Sequence, residues 1–489
     1  MPGVNACAAA NEPVSSDLYR NRSLLENRFH YPQNSDLKIR SFLTADREAL
    51  LFYIDGLCDT LQIEDFILRP ALQFDLKTDA DDIMRDFAIN CILAADFCLC
   101  SDMNELENDI LCGKCVIFID GCTNALAIDL RKFEKRPISR TISENVVLGP
   151  QEGFTETMRT NITLIRRFIR SKDLVCEMMN IGTKLPTSFG VLYLDGSVNK
   201  GALEEIVRRI KTVDAPYVGG TGALQQLIED HPYALFPQML QTERPDRAAS
   251  CLMEGQIVIL SENSPYALIA PITIFHLMHA SDDSFMRWQY GCFIRCIRFL
   301  GMIVSLFLPA LYTAISMYHT HILPTSLFTS IAETRASVPF PVLIEVFIME
   351  LSFLLINEAG TRIPSQIGPA LSIVGALILG QAAVSASIIS PIMIIIVALT
   401  GLGNYTIPNY SMGLGIQLIR LMLVLAAAVF GLYGIVLCSS LVFAWLCGMR
   451  SFGVTFLSPA APWRPHKNDL LLRFPFTCRK KRAERNGSE

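Results

Sequence analysis

The sequence predicts an α/β region of two similar subdomains followed by an α-helical polytopic membrane domain. Three observations carry this reading. Between Phe299 and Met449 only seven side chains are charged (Glu333, Arg335, Glu345, Glu350, Glu358, Arg362 and Arg420), and between Arg362 and Arg420 there is none. A soluble helix of that length needs a polar face, because only one stripe of it can be buried. Segments without one are solvated by lipid, whose hydrocarbon core takes about 20 apolar residues per helix. Residues 1–298 instead carry most of the charge and alternate short β-rich runs with helical ones, the pattern of α/β layers. Those runs, finally, occur twice in the same order.

Residues 1–36 are polar and without a clear period, and read as a flexible leader. Residues 37–148 form the first subdomain. A buried strand at 49–54 closes at Asp55-Gly56 and a helix follows from Thr60 to Leu68; a second strand at 115–119 closes at Asp120-Gly121 and can pair with 125–129. Residues 149–172 are a helical connector. Gly149, Pro150 and Gly153 make its turn, Thr155 or Thr157 can cap, and Ile162, Ile165 and Ile169 bury one face. Arg159, Arg166, Arg167 and Arg170 read as a solvated basic face, with Arg159, Arg166 and Arg167 as candidates for assembly contacts and anionic lipid as a further partner. Residues 173–290 form the second subdomain, in which 189–196 matches the strand-Asp-Gly unit at 52–56 and 252–260 matches 111–119, at nearly the same offset.

Chemical motifs are weak. Cys112-Gly-Lys-Cys115 has ligand spacing, but Cys98-Leu-Cys100 does not complete it and no histidine pair lies near. In the repeat Cys115 aligns with Ile257, which makes it a strand position. The 15 cysteines are scattered through apolar runs, where a thiol acts as a small hydrophobe. Val218-Gly-Gly-Thr-Gly222 lacks the ending of a phosphate loop and reads as a turn and helix cap. With no nucleophile elbow and no paired histidines, the expectation is no enzyme, no cofactor and no metal. A net charge of -5, evenly mixed, gives no reason to expect nucleic acid. The start of the chain has no basic segment followed by an apolar run, so the charged half is expected in the cytoplasm.

Residues 291–450 are the expected transmembrane domain and 451–489 a basic cytoplasmic tail. Arg287, Arg295 and Arg298 before the first span and the basic tail after the last place both ends in the cytoplasm, which requires an even number of crossings. Spans are expected at about 298–317, 339–357, 371–389 and 420–447, with the short apolar piece 391–402 as a re-entrant element; six crossings are the other count. Ionisable groups at membrane depth are functional candidates by default, so Glu345 and Glu350, with Asn357 beyond them, are expected at a pore or gate. Ser372, Ala376, Gly380, Ala383 and Ser387 form a small-residue ridge beside Gln381, suited to close helix packing or to a narrow aqueous path.

These residues also carry a resemblance. Gly149-Pro-Gln-Glu-Gly-Phe154, Thr242-Glu-Arg-Pro-Asp246, Pro339-Phe-Pro341, Asn357-Glu-Ala-Gly360-Thr-Arg-Ile-Pro364, Gly380-Gln-Ala-Ala383 and Arg450-Ser-Phe-Gly453 follow one another as in the A subunits of bacterial spore germination receptors, the GerA family, which the chain resembles from about residue 40 to 475. The SpoVAF-type proteins share that architecture. The resemblance implies a multi-pass subunit of the spore inner membrane that works with a transporter-like, nutrient-binding B subunit and a lipoprotein C subunit. It further implies a homo-oligomeric ring, pentameric, whose membrane part is a nutrient-gated ion channel. The alternative class is a non-conducting membrane scaffold for the B subunit.

Overall fold

A computed structural model of the chain describes residues 12–73, 83–94, 96–131, 144, 148–362 and 380–462. It divides into two compact units, Met1–Asp230 with Met239–Pro271, and His231–Gln238 with Ile272–Glu489.

The first unit holds two five-stranded sheets. Strands β1 (Leu37–Thr44), β2 (Arg47–Ile54), β3 (Phe97–Cys100), β4 (Cys115–Ile119) and β5 (Ala125–Ile128) lie in the order β1-β2-β4-β5-β3. Strands β6 (Leu174–Ile181), β7 (Thr187–Leu194), β8 (Leu240–Thr242), β9 (Ile257–Ser261) and β10 (Ala267–Ala270) lie in the order β6-β7-β9-β10-β8. The strand orders match, and so does the register: Leu51 faces Ile117 as Val191 faces Ile259, and Ile117 faces Leu126 as Ile259 faces Leu268. Equivalent glycines turn the chain into β4 and β9, Gly113 at φ +87 and Gly255 at φ +85. A Cβ on Gly255 would lie 2.3 Å from the Ser197 carbonyl oxygen, so glycine is required there by space as well as by conformation.

Both faces of the first sheet are covered. Ala49, Leu51, Ile117 and Leu126 pack with Ile67, Met84 and Phe87 on one side, while Leu50, Phe52, Val116 and Phe118 pack with Leu25, Phe29, Leu106 and Ile110 on the other. Neighbouring strand residues point to opposite faces, and with both faces dry the strands read as unbroken apolar runs. The leader expectation is corrected for residues 12–36. The helix Leu18–Arg28, capped by the Asp17 side chain, buries Leu18 and Leu25 in this core. Its apolar positions are few, which is why composition alone hid it.

Buried thiols behave as hydrophobes. Burial pushes Cys91 and Cys251 up to about 12, and Cys115, hydrogen-bonded to Cys58 and fully buried on β4, is raised far above the ordinary thiol range.

The connector helix Met158–Phe168 is held by a buried charge. Arg166 is only 3% exposed, which corrects the solvated basic face expected for it. Its guanidinium donates to Asp36 at 2.7 and 2.9 Å, to Asn34 Oδ1 at 3.3 Å and to the Leu174 carbonyl at 2.8 Å. Asn34 Oδ1 also accepts from the Cys176 amide at 3.2 Å. One side chain thus fastens the entry to β1 to the start of β6. Arg159 and Arg167 do face outward, paired with Asp55 at 3.0 Å and Glu152 at 3.2 Å.

In the second unit two described helices are long and apolar enough to cross a bilayer, Trp288–Tyr318 and Tyr410–Gly448. Asp283 pairs with Arg295 at 3.0 Å and Arg298 at 2.8 Å at the start of the first. Tyr410–Gly448 has 39 residues, about 58 Å if straight against a hydrocarbon core of about 30 Å. It is not straight. Gly431 breaks it at φ 62, ψ -141, and Phe236 lies against both Gly415, whose added Cβ would be 3.2 Å from the ring, and Trp445, at 6.5 Å between centroids. Those two positions would stand about 45 Å apart along one rod. The element is therefore a hairpin of two antiparallel limbs, which corrects the single span expected at 420–447. The Tyr318 hydroxyl donates to the Ala428 and Val429 carbonyls at 2.7 and 3.3 Å, just before the break.

Removing Arg166 leaves Asp36 as an unpaired buried charge. Arg166→Ala is expected to cost roughly 3–5 kcal/mol in chemical unfolding of the detergent-solubilised chain, and the double change Arg166→Met with Asp36→Leu to recover most of it. An Arg166→Ala protein as stable as its parent would contradict this.

Candidate functional site

The helix Val342–Arg362 carries two buried acids. Glu345 and Glu350 are five residues apart, about 140° around the helix, and meet different neighbours. Glu350 Oε2 accepts from Arg420 Nη2 at 2.6 Å, and Arg420 Nη1 donates to Ser305 Oγ at 3.1 Å. Arg420 is 2% exposed. Three elements thus meet at one ion pair: Trp288–Tyr318 through Ser305, Val342–Arg362 through Glu350, and the first limb of the hairpin through Arg420. An arginine at that depth needs its carboxylate, and the pair together needs the serine for a remaining donor.

Glu345 is fully buried, and its Oε1 accepts from the Ser390 amide at 2.5 Å. Ser390 precedes the helix Pro391–Tyr405, so the carboxylate lies at a helix N-terminus, where the aligned peptide dipoles favour negative charge. Tyr312 sits beside Ser390, Ser316, Glu345 and Arg335. Among the described residues, Glu345 Oε2 and Glu350 Oε1 are buried without a hydrogen-bond partner, while the Tyr312 hydroxyl lies within reach of the Ser316 and Ser390 hydroxyls. Buried polar atoms are satisfied by protein, water or ions as a rule, so the second oxygen of each carboxylate can take a water or an ion.

At the other end of the same helix, Asn357 Oδ1 accepts from the Tyr405 hydroxyl at 3.1 Å. Glu345 meeting Ser390 and Asn357 meeting Tyr405 means that Val342–Arg362 and Pro391–Tyr405 run parallel along their lengths. The short apolar piece expected at 391–402 is the 15-residue helix Pro391–Tyr405, shorter than the two helices long enough to cross a bilayer. Close approach is secured by glycine: a Cβ on Gly403 would lie 2.5 Å from the Gly301 carbonyl oxygen.

Of the other expected residues, Gly380 stands 3.8 Å, from its would-be Cβ, from Ile394 Cδ1. Gln381 is exposed and Ala383 half-buried, both in a helical stretch over 380–385. Ser372 and Ala376 lie outside the described residues. The structure separates Glu345 from Glu350 in environment and adds Arg420, Ser305, Tyr312 and Ser390, which sequence reasoning did not single out. Arg420 did leave a signal: it is the one cation between Arg362 and Arg450, and the buried acids needed a counter-charge. No nucleophile-base pair forms here; what the arrangement can do is hold charge, protons or small ions inside an apolar bundle.

The chain thus joins a duplicated antiparallel sheet unit to a helical unit that buries paired charge and holds two helices long and apolar enough to cross a bilayer. The match of the family described as Bacillus/Clostridium GerA spore germination protein covers residues 23–485. The chain belongs to that family. It is similar to three Bacillus subtilis proteins: Uncharacterized membrane protein YfkQ, 36% identical over 95% of this chain and 90% of that protein; Spore germination protein KA, 35% identical over 96% and 87%; and Spore germination protein B1, 34% identical over 97% and 98%. The crystal structure of the N-terminal domain of the A subunit of the Bacillus megaterium spore germinant receptor GerK3 matches with a TM-score of 0.42 and 27% identity over 54% of this chain and 97% of that one.

The ion pair predicts a non-additive mutant series. Arg420→Ala and Glu350→Ala should each destabilise the detergent-solubilised chain by roughly 3–5 kcal/mol, whereas Glu350→Leu with Arg420→Met should lose far less than the two single losses added together. Simple additivity of the two changes would rule out the pairing.

Proposed function

We propose that this chain is an A subunit of a nutrient-sensing spore germinant receptor, and that copies of it surround an ion-conducting path in the spore inner membrane. Family membership supports the germination role. The observation that carries the conducting reading is the pair of buried carboxylates, Glu345 and Glu350, each with one oxygen that has no protein partner inside an otherwise apolar bundle. In lipid such groups are retained where water or ions reach them.

The described helices favour six crossings over four. Trp288–Tyr318 leads to the end where Tyr318 meets the hairpin bend, Val342–Arg362 and Pro391–Tyr405 run the same way as each other, and the two hairpin limbs run oppositely. Consecutive parallel helices require the chain to return between them. Counting the limbs separately gives an even number with both ends on one side, the cytoplasmic side by the positive charge of the tail. On this reading Gly380, Gln381 and Ala383 border the path. Arg159 and Arg167 remain available on the surface for assembly into a pentameric ring. The B subunit that binds nutrient and the lipoprotein C subunit are the partners. The competing class, a non-conducting scaffold, predicts no ion path.

Bulky substitutions separate the two. Gly380→Leu or Ala383→Leu in spores should block or make constitutive the release of potassium on nutrient addition while leaving the abundance of the partner subunits unchanged. If ion release is normal and only partner abundance falls, the chain is a scaffold.

A further inference from the structure

The first sheet carries a second constellation that the membrane reading does not use. Strand β3 is an edge strand, paired only with β5 on its inner side. Cys98 and Cys100 are two residues apart on it, so both thiols project from one face. The helix that follows, Met103–Leu111, returns over that face and delivers Asp109. The three ligand atoms lie within 4.8 Å of one another, with Cys98 Sγ 3.8 Å from Cys100 Sγ and 3.8 Å from Asp109 Oδ2.

Those separations have the size of tetrahedral edges. A zinc ion binds thiolate at about 2.3 Å and carboxylate at about 2.0–2.2 Å, and ligands at such distances on a tetrahedron stand about 3.5–3.8 Å apart. The second oxygen of the same carboxylate is already held: Lys114 Nζ pairs with Asp109 Oδ1 at 2.7 Å and lies 3.9 Å from Cys98 Sγ. That contact aims Oδ2 at the thiols, as outer partners of metal ligands do. Charge closes as well. A divalent ion with two thiolates and one carboxylate carries one net negative charge, and the Lys114 ammonium cancels it.

We propose that Cys98, Cys100 and Asp109 form a zinc-binding site with an open fourth position, braced by Lys114. On binding, the two thiol protons leave to solvent and two Zn–S bonds and one Zn–O bond form; nothing is oxidised or reduced. The three ligands are half-buried at the sheet edge, so an ion can reach them and a water can complete the fourth position. The Cys112-Gly-Lys-Cys115 spacing is not the ligand pair, since Cys115 is fully buried on β4.

The test uses the full chain in detergent, reduced and stripped of metal, titrated with Zn2+ against a chromogenic chelator and with Co2+ followed by its absorption spectrum. Wild type should take up one high-affinity ion per chain, with a thiolate-to-cobalt charge-transfer band and the d–d bands of a tetrahedral site. Cys98→Ser, Cys100→Ser and Asp109→Asn, near-isosteric changes at an edge strand and a helix surface, should abolish the tight site while the circular dichroism spectrum is unchanged. Lys114→Met, which keeps all three ligands, should weaken binding about 10–100-fold, and Cys112→Ser should leave it unchanged. Equal uptake by wild type and Cys98→Ser, no uptake at all, or a Cys98–Cys100 disulfide that persists in place of metal under these reducing conditions would each overturn the proposal.

Discussion

The apolar unit is organised by the requirement that Arg420 not be left alone. A guanidinium withdrawn from water among Ile, Leu and Val side chains is tolerable only with an acid and further acceptors within hydrogen-bond reach. Glu350 at 2.6 Å and Ser305 at 3.1 Å meet that need from two other helices. The pair consequently fixes rotation as well as proximity. Turning any of the three helices by one residue would move its polar group about 100° away and strand the others. Apolar packing alone, which is nearly indifferent to such turns in lipid, has no comparable power to select one arrangement.

The first unit applies the same logic at a different place. Its two sheets each bury strands on both faces and could close as separate cores. Arg166 ties them, with donors that reach Asp36, Asn34 and the Leu174 carbonyl, the approaches to β1 and β6. The bonds from the Ser35 amide to the Cys176 carbonyl and from Lys172 to Glu107, both at 2.9 Å, add to it. The reading of the apolar unit as a route for ions needs a rigid scaffold of this kind, because a path of partly satisfied polar atoms is useful only if its walls do not rearrange to satisfy them.

Much of the first unit was legible in the residues. The Asp-Gly turns at 55–56 and 195–196 and the apolar runs at 115–119 and 257–261 announce the repeat, and the strands appear where β-rich text is bounded by turn residues. The helix Leu18–Arg28 was not legible, because a handful of apolar positions in a polar stretch carries little periodic signal even when they are wholly buried. Arg166 misled for the opposite reason: one arginine among four on a helix looks like surface, and only the fold brings Asp36, distant in the chain, beneath it. In the apolar unit composition marked helices long and apolar enough to cross a bilayer, but not their course. Gly431 is one glycine among many in that text, and nothing in the sequence marks it as the residue that turns a 39-residue helix back on itself. Glu345 and Glu350 stood out by charge; their separation into different surroundings, and the partnership with Arg420, required the third dimension. The Cys98, Cys100 and Asp109 cluster failed the spacing rule because one ligand comes from the next element.

The central claim is that this bundle dissolves in lipid and encloses a route for ions past its buried acids. Reconstituting the purified chain into potassium-loaded vesicles, together with the subunits it works with, and recording potassium efflux tests it most directly. Efflux that responds to nutrient and is altered by Arg420→Ala is the predicted result; protein that inserts fully, binds its partners and passes no ion above empty vesicles would contradict the account.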